Sequence, residues 1–270
     1  MLRPNRLVQN QLLKMKKAIA LSIMALLAIS CKQEQKTETK KETPKEVVKE
    51  DKFPKVLGEV FEKHGGLNAW RKANFVSYKV NGEEHTTELK SRKSLITAEK
   101  YALGFDGKDV WLSQKDTTAF KGNPEFYHNL YFYFYAMPFV LADDGIIYSE
   151  TAPLEFEGVS YPGIKISYEA NVGVSPDDNY YIYYHPETKQ MAWLGYTVTY
   201  FSKKPAEKFN IIRYNDWENV NGFLLPKSIT WFKKDDNGKL LEPARDPIQF
   251  SSALVSQAPL ADNFFKNQQK

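Results

Sequence analysis

The sequence predicts an α+β chain that is mainly antiparallel β, a meander curled into a barrel or part of one. Three observations predict it. From residue 75 onward apolar residues recur at every second position, in runs of strand length. "FDGK", "NVNG" and "DDNG" carry the Asp/Asn-Gly chemistry of tight hairpin turns. One aromatic stretch, "NPEFYHNLYFYFYAMPFVLADDG", breaks the two-residue period and reads as a helix set into the sheet.

The N-terminus is read separately. Met15-Lys16-Lys17 opens a basic patch, and 18–29 is an uninterrupted run of apolar and small residues. That run is far short of the ~20 residues a spanning helix needs. A basic region, a short apolar region and a small-residue exit describe a secretory signal peptide over 1–30, with Met15 as its expected start. Leu27-Ala28-Ile29-Ser30-Cys31 resembles a lipobox, the bacterial lipoprotein processing site. The resemblance implies that the Cys31 thiol carries diacylglycerol and that its freed amine is acylated. Multiple chains on one residue anchor a protein to a membrane without a transmembrane helix. It further implies the outer membrane, because Lys32 stands where an inner-membrane retention signal has aspartate. Cys31 is the only cysteine, so no disulfide is available to the domain.

Residues 31–52 hold this cysteine and a Lys/Glu/Thr/Gln-rich segment without an aromatic residue. Such a segment buries too little apolar surface to offset its ordering entropy and reads as a linker, with a solvated charged helix as the alternative. The chain has 37 basic and 33 acidic residues, and five of the basic ones lie in 1–30 with no acid. The 32 that remain balance the acids to about −1. The apparent basicity therefore belongs to the export signal, and no nucleic-acid partner is expected.

Residues 53–270 are expected to form a single domain. Phe53, Val56, Leu57, Val60, Phe61 and His64 recur at helical spacing, with Pro54 in the first turn and Gly65-Gly66 as the stop. His64 reads as structural, a cation favoured by the helix C-terminus. A short helix over 67–72 turns Trp70 inward. Strands follow near 75–80, 85–91, 94–98, 100–105 and 109–114, then 164–168, 180–184, 191–201, 209–215, 224–232 and 248–255.

Within the aromatic stretch, Asn123 is the expected N-cap and Pro124 the first helical residue. Over 124–141, Phe126, Leu130, Phe134 and Met137 line one face, while Tyr127, Tyr131, Phe132 and Tyr135 cover the others. A helix apolar all round is buried on more than one side. Pro138 should kink or end it. What lies above it is either protein or a cavity for a greasy ligand, and periodicity alone leaves a buried strand open.

Asp106-Gly107-Lys108 followed by Val110-Trp111, with the returning pair "YYHPETKQMAWLGYTVTY", resembles the LolA/LolB-like superfamily of outer-membrane lipoprotein carriers and receptors. The chain is also similar to uncharacterised lipoproteins of Gram-negative bacteria. The resemblance implies a curled, incompletely closed β-barrel with helices packed in its mouth, enclosing an apolar cavity for acyl chains. Two features of that family have no clear counterpart: the receptor's exposed apolar loop and the carrier's lid-latching arginine, for which Arg92 is a candidate.

Recognisable chemistry is absent. His64, His85, His128 and His185 are scattered without ligand spacing, so no metal is expected. No G-x-S-x-G elbow, Walker loop or G-x-G-x-x-G occurs, so neither a catalytic residue nor a cofactor is named. The acid pairs Asp143-Asp144, Asp177-Asp178 and Asp235-Asp236 read as turn residues. The reading is a non-enzymatic envelope lipoprotein, favoured as a monomer, that binds a lipid or acylated protein. Trp111, Phe126, Leu130, Tyr131, Phe134 and Met137 are the expected lining. The alternatives are a structural or interaction lipoprotein with a filled core and a hydrolase without a recognisable motif.

Overall fold

The computed structural model describes residues 53–169, 178–201, 209–235 and 237–267. The expected signal peptide, Cys31 and the linker lie outside the described residues.

Chain order builds one sheet from two meanders. The first runs outward through β1 (Phe75–Val80), β2 (Glu83–Glu88), β3 (Ser94–Thr97), β4 (Tyr101–Phe105) and β5 (Val110–Gln114). The second starts at the far edge with β6 (Ile146–Phe156) and returns through β7 (Val159–Tyr168), β8 (Tyr180–Tyr184), β9 (Met191–Tyr196), β10 (Asn210–Val220) and β11 (Phe223–Lys234). β12 (Leu240–Pro243) flanks β11, and β13 (Ile248–Ser256) sits between β11 and β1, joining the halves. Every pairing is antiparallel. The edge strands β5 and β6 do not pair with each other, so the 13-stranded sheet is not closed.

Turn chemistry holds these registers. Asn81-Gly82 and Asn221-Gly222 have positive φ at both positions, 52° and 78° in the first and 53° and 93° in the second. Two such residues form the turn whose twist matches the strands it joins.

The stretch between β5 and β6 is thus the crossover between the two open edges. It is not the single helix expected over 124–141. It divides into α3 (Pro124–Tyr127), α4 (Leu130–Tyr135) and a 3-10 turn at Phe139–Ala142. Asn123 caps α3 as expected, its Oδ1 accepting from the Phe126 N–H at 3.1 Å. The helix ends before Pro138, which has no N–H to continue it.

Two N-terminal helices, α1 (Lys55–Lys63) and α2 (Leu67–Trp70), precede β1. Leu57, Val60 and Phe61 of α1 join a core made by Val76 and Tyr78 of β1, Ile166 of β7, Leu194 of β9 and Phe250 of β13. Phe132, Tyr135, Met137 and Phe139 of the crossover belong to the same cluster. Strands from both halves of the order converge on one crossover, which requires the sheet to curl around it.

His64 is structural, but as a neutral ring. Its Nδ1–H donates to the Leu224 carbonyl at 2.8 Å, and Nε2 accepts from the Met191 N–H at 3.1 Å. Burial pulls its pKa down to about 4, outweighing the backbone bond that favours the cation. The expected helix-terminus cation is therefore corrected.

Candidate functional site

A cavity of about 530 Å³ lies between α4 and the inner face of β7, β8, β9 and β11. This is within the roughly 300–1,000 Å³ of small-molecule sites. Its apolar wall is Phe126, Leu130, Phe134, Val198 and Trp231. A second wall is phenolic: Tyr131, Tyr133, Tyr168, Tyr180, Tyr196 and Tyr200.

Strand parity explains the phenols. Ile164, Ile166 and Tyr168 face inward along β7, and Ile182 and Tyr180 do so on β8. Tyr180 pairs with Ile166 on one side and with Tyr196 on the other. The deep positions of this inner surface are aliphatic and the rim positions are tyrosine, an apolar body with a polar tip. Burial raises the pKa of Tyr168, Tyr180 and Tyr196, so all are neutral hydroxyls near pH 7. Tyr196 OH accepts from Trp231 Nε1–H at 2.8 Å, and Phe134 packs edge-on against both rings at 5.3 and 5.6 Å.

The mouth carries exposed apolar side chains. Phe201 is 67% exposed and Val198 is 37% exposed. Phe126 touches Tyr200 and Phe201 with ring centroids 5.2 and 5.1 Å apart.

Four acids and a cation complete the lining: Glu125, Asp143, Asp144, Asp178 and Arg245. Arg92 Nη2 donates to both carboxylate oxygens of Asp143 at 2.6 Å. This ties the β2–β3 connection to the end of the crossover. Burial raises the Asp143 pKa while Arg92 opposes the rise. Asp178 Oδ1 accepts from the Thr199 N–H at 2.6 Å. No cluster of metal-ligating side chains occurs among the described residues.

Of the residues named from the sequence, Phe126, Leu130, Tyr131 and Phe134 stand at this wall. Met137 does not; it is 1% exposed within the core. The breaks at His128-Asn129 and after Tyr135 change the helical phase that aligned it with Phe126 and Leu130. Trp111 stands elsewhere too. It pairs with Gly104, while its neighbour Leu112 pairs with core-facing Leu103, so alternation sends Trp111 to the opposite face. There its indole crosses Gly104, where a Cβ would lie 2.4 Å from the ring, and Nε1–H donates to the Phe265 carbonyl at 2.9 Å. Sequence reasoning missed Tyr168, Tyr180, Tyr196, Trp231 and Arg245. For the four aromatic residues the signal was a tyrosine or tryptophan at an inward strand position; Arg245 carried none.

Two polar pairs resemble the nucleophile–base and acid–base contacts a hydrolase needs. Ser94 Oγ lies 3.4 Å from His128 Nδ1, but Ser94, the first residue of β3, is 1% exposed. Glu83 Oε2 lies 2.7 Å from His85 Nε2, and the same carboxylate accepts from the Tyr101 and Tyr127 hydroxyls. Glu83 and His85 are buried too, and Tyr127 ties α3 to β2 through this carboxylate.

Fold and site together define a class: an open antiparallel β-cup, its crossover helices seated in the mouth beside an aromatic cavity. The chain belongs to the family described as a family of unknown function, DUF6503, whose model matches residues 30–242. No curated protein matches the sequence. In structure the chain is similar to a LolA superfamily protein from Nitrosomonas europaea, at 9% identity and a TM-score of 0.41, covering 79% of this chain and 96% of that one. It is similar to a DUF1329 family protein from Desulfovibrio piger, at 10% identity and 0.43, covering 79% and 96%. It is also similar to a domain described as an outer membrane lipoprotein-sorting protein from Vibrio parahaemolyticus, at 6% identity and 0.43, covering 78% and 95%.

Proposed function

We propose that this protein is an envelope lipoprotein, held to the outer membrane by acylated Cys31, whose half-barrel binds a hydrophobic ligand such as a lipid or an acyl chain. The cavity of about 530 Å³ carries the reading. It opens at a lip of Phe126, Val198 and Phe201 and is walled by Leu130, Phe134 and Trp231. An acyl chain entering it gains roughly 25 cal/mol for each Å² of apolar surface removed from water. The lipobox-like segment adds a cellular setting rich in such chains.

Native mass spectrometry of the full chain carrying Cys31→Ser, which cannot be acylated there, tests the reading. Purified from whole-cell extract, the protein is expected to carry a lipid-sized adduct that is released on denaturation. Leu130→Trp, which fills the wall, is expected to remove the adduct while leaving the melting temperature within a few degrees. Bare protein mass, with no uptake of added fatty acid or phospholipid, would overturn the reading.

A further inference from the structure

We propose that Arg245, laid over Trp231 at the rim of this cavity, receives the anionic head of the ligand, so that the site takes an acyl chain ending in a carboxylate or a phosphate. The inference rests on the reading above and names the ligand's chemistry.

The position of Arg245 follows from sheet register. Phe232 of β11 pairs with Pro243 of β12, and the Ala244 N–H donates to the Trp231 carbonyl at 2.7 Å. The next side chain is then carried over the indole, and the guanidinium carbon sits 3.7 Å from its centroid. The indole is itself fixed by its bond to Tyr196 OH. A guanidinium stacked on a ring uses its flat face, and its N–H donors point outward in the plane. These donors match a carboxylate or phosphate, which a planar fork can hold by two bonds.

Three of the four acids at the cavity are committed. Asp143 is held by Arg92, Asp178 accepts the Thr199 N–H, and Asp144 has a partner of its own. Glu125 lies exposed in the first turn of α3. Among the described residues no carboxylate pairs with Arg245, which is itself exposed. Its charge reaches the cavity: at Tyr131 and Tyr196 it opposes the rise in hydroxyl pKa that burial causes. A cation at the rim above an apolar wall is complementary to a molecule with a chain at one end and an anion at the other.

Displacement of a neutral fluorescent lipid probe from the full chain carrying Cys31→Ser separates the outcomes. The competitors share one acyl length: a fatty acid, a lysophosphatidic acid, a monoacylglycerol and an alkylamine, each below its micelle concentration. The two anions are expected to compete roughly tenfold better than the monoacylglycerol, the scale of one charge-assisted hydrogen-bond pair. The advantage should shrink as salt is raised, because Arg245 is exposed. Arg245→Gln should abolish it, bringing the anions down to the level of the monoacylglycerol on the same variant, and leave the melting temperature unchanged, while Arg245→Lys should retain part of it. A better fatty acid than lysophosphatidic acid assigns the head to carboxylate, and the reverse to phosphate. Equal competition by anion, neutral lipid and amine, or an anion preference that survives Arg245→Gln, would overturn the role of Arg245 and leave hydrophobic binding standing. Preference for the alkylamine would overturn it in favour of the acids. Displacement by none of the four would remove the hydrophobic reading and this one together.

Discussion

The two sides of the crossover carry the same kinds of residue and meet opposite surroundings. On the inner side Phe132, Tyr135, Met137 and Phe139 are each 2% exposed or less. Phe139 stacks on Trp70 with centroids 4.5 Å apart and meets Phe223 edge-on, so α2 and β11 close over it. On the outer side Phe126, Leu130 and Tyr131 are half-buried beside the cavity. The difference is geometric. Trp70, Phe223 and Phe250 press against the crossover from behind, while Tyr168, Tyr180 and Tyr196 at the ends of β7, β8 and β9 border the cavity. The core half is a scaffold, and the half near the second free edge leaves room.

Truncation on each side would test that division with the largest effect. Phe139→Ala removes a stacked ring from a filled core and is expected to cost about 3–5 kcal/mol. Leu130→Ala, with one side on an open cavity, is expected to cost about 1 kcal/mol or less and to weaken uptake of added lipid. Urea denaturation followed by tryptophan fluorescence measures both. Equal losses would mean that the two sides are packed alike.

Acid should weaken the scaffold. His64 titrates near 6.5 when unfolded and about 4 when folded, because burial disfavours its cation. Between those values the unfolded chain binds the proton and the folded chain does not, so protonation favours unfolding. The contribution is complete above about pH 6.5 and fades as the pH falls toward 4, by on the order of 3 kcal/mol. His64→Gln should flatten the fall in stability across this window. An unchanged slope would show that His64 is not held neutral between Leu224 and Met191.

Much of this architecture was legible along the chain because hairpins are local. The Asn-Gly at 221–222 and the Asp-Gly at 106–107 sit where their turn chemistry requires them, and the inward alternation of β7 to β9 is visible in the residues themselves. β6 was not legible: it is an edge strand whose exposed positions outnumber its half-buried ones, so it lacks an apolar alternation to detect. The crossover's subdivision was not legible either, since an aromatic run keeps a helical pattern across breaks that tertiary packing imposes. That is why Phe126, Leu130, Tyr131 and Phe134 of the wall were nameable and the residues opposite them were not. Arg245 reaches Trp231 through a pairing of β11 with β12, which no local period encodes.

The finest distinction between the two sides concerns tyrosine hydroxyls. In the core half the hydroxyls of Tyr78 and Tyr135 are buried without a hydrogen-bond partner among the described residues, although their rings lie 4.1 Å apart. A buried donor without an acceptor loses its water and gains nothing in exchange. Tyr135→Phe is therefore expected to be neutral or to stabilise the fold by up to about 1 kcal/mol. On the cavity side Tyr196 OH accepts the Trp231 Nε1–H, so Tyr196→Phe leaves that N–H without its acceptor and is expected to cost about 1 kcal/mol. The pair of substitutions deletes the same atom from the same residue type and should give opposite signs in urea denaturation. Destabilisation by Tyr135→Phe as large as that by Tyr196→Phe would mean that the core-side hydroxyl has a partner, such as a trapped water, and that the filled half is less tightly closed than its rings suggest.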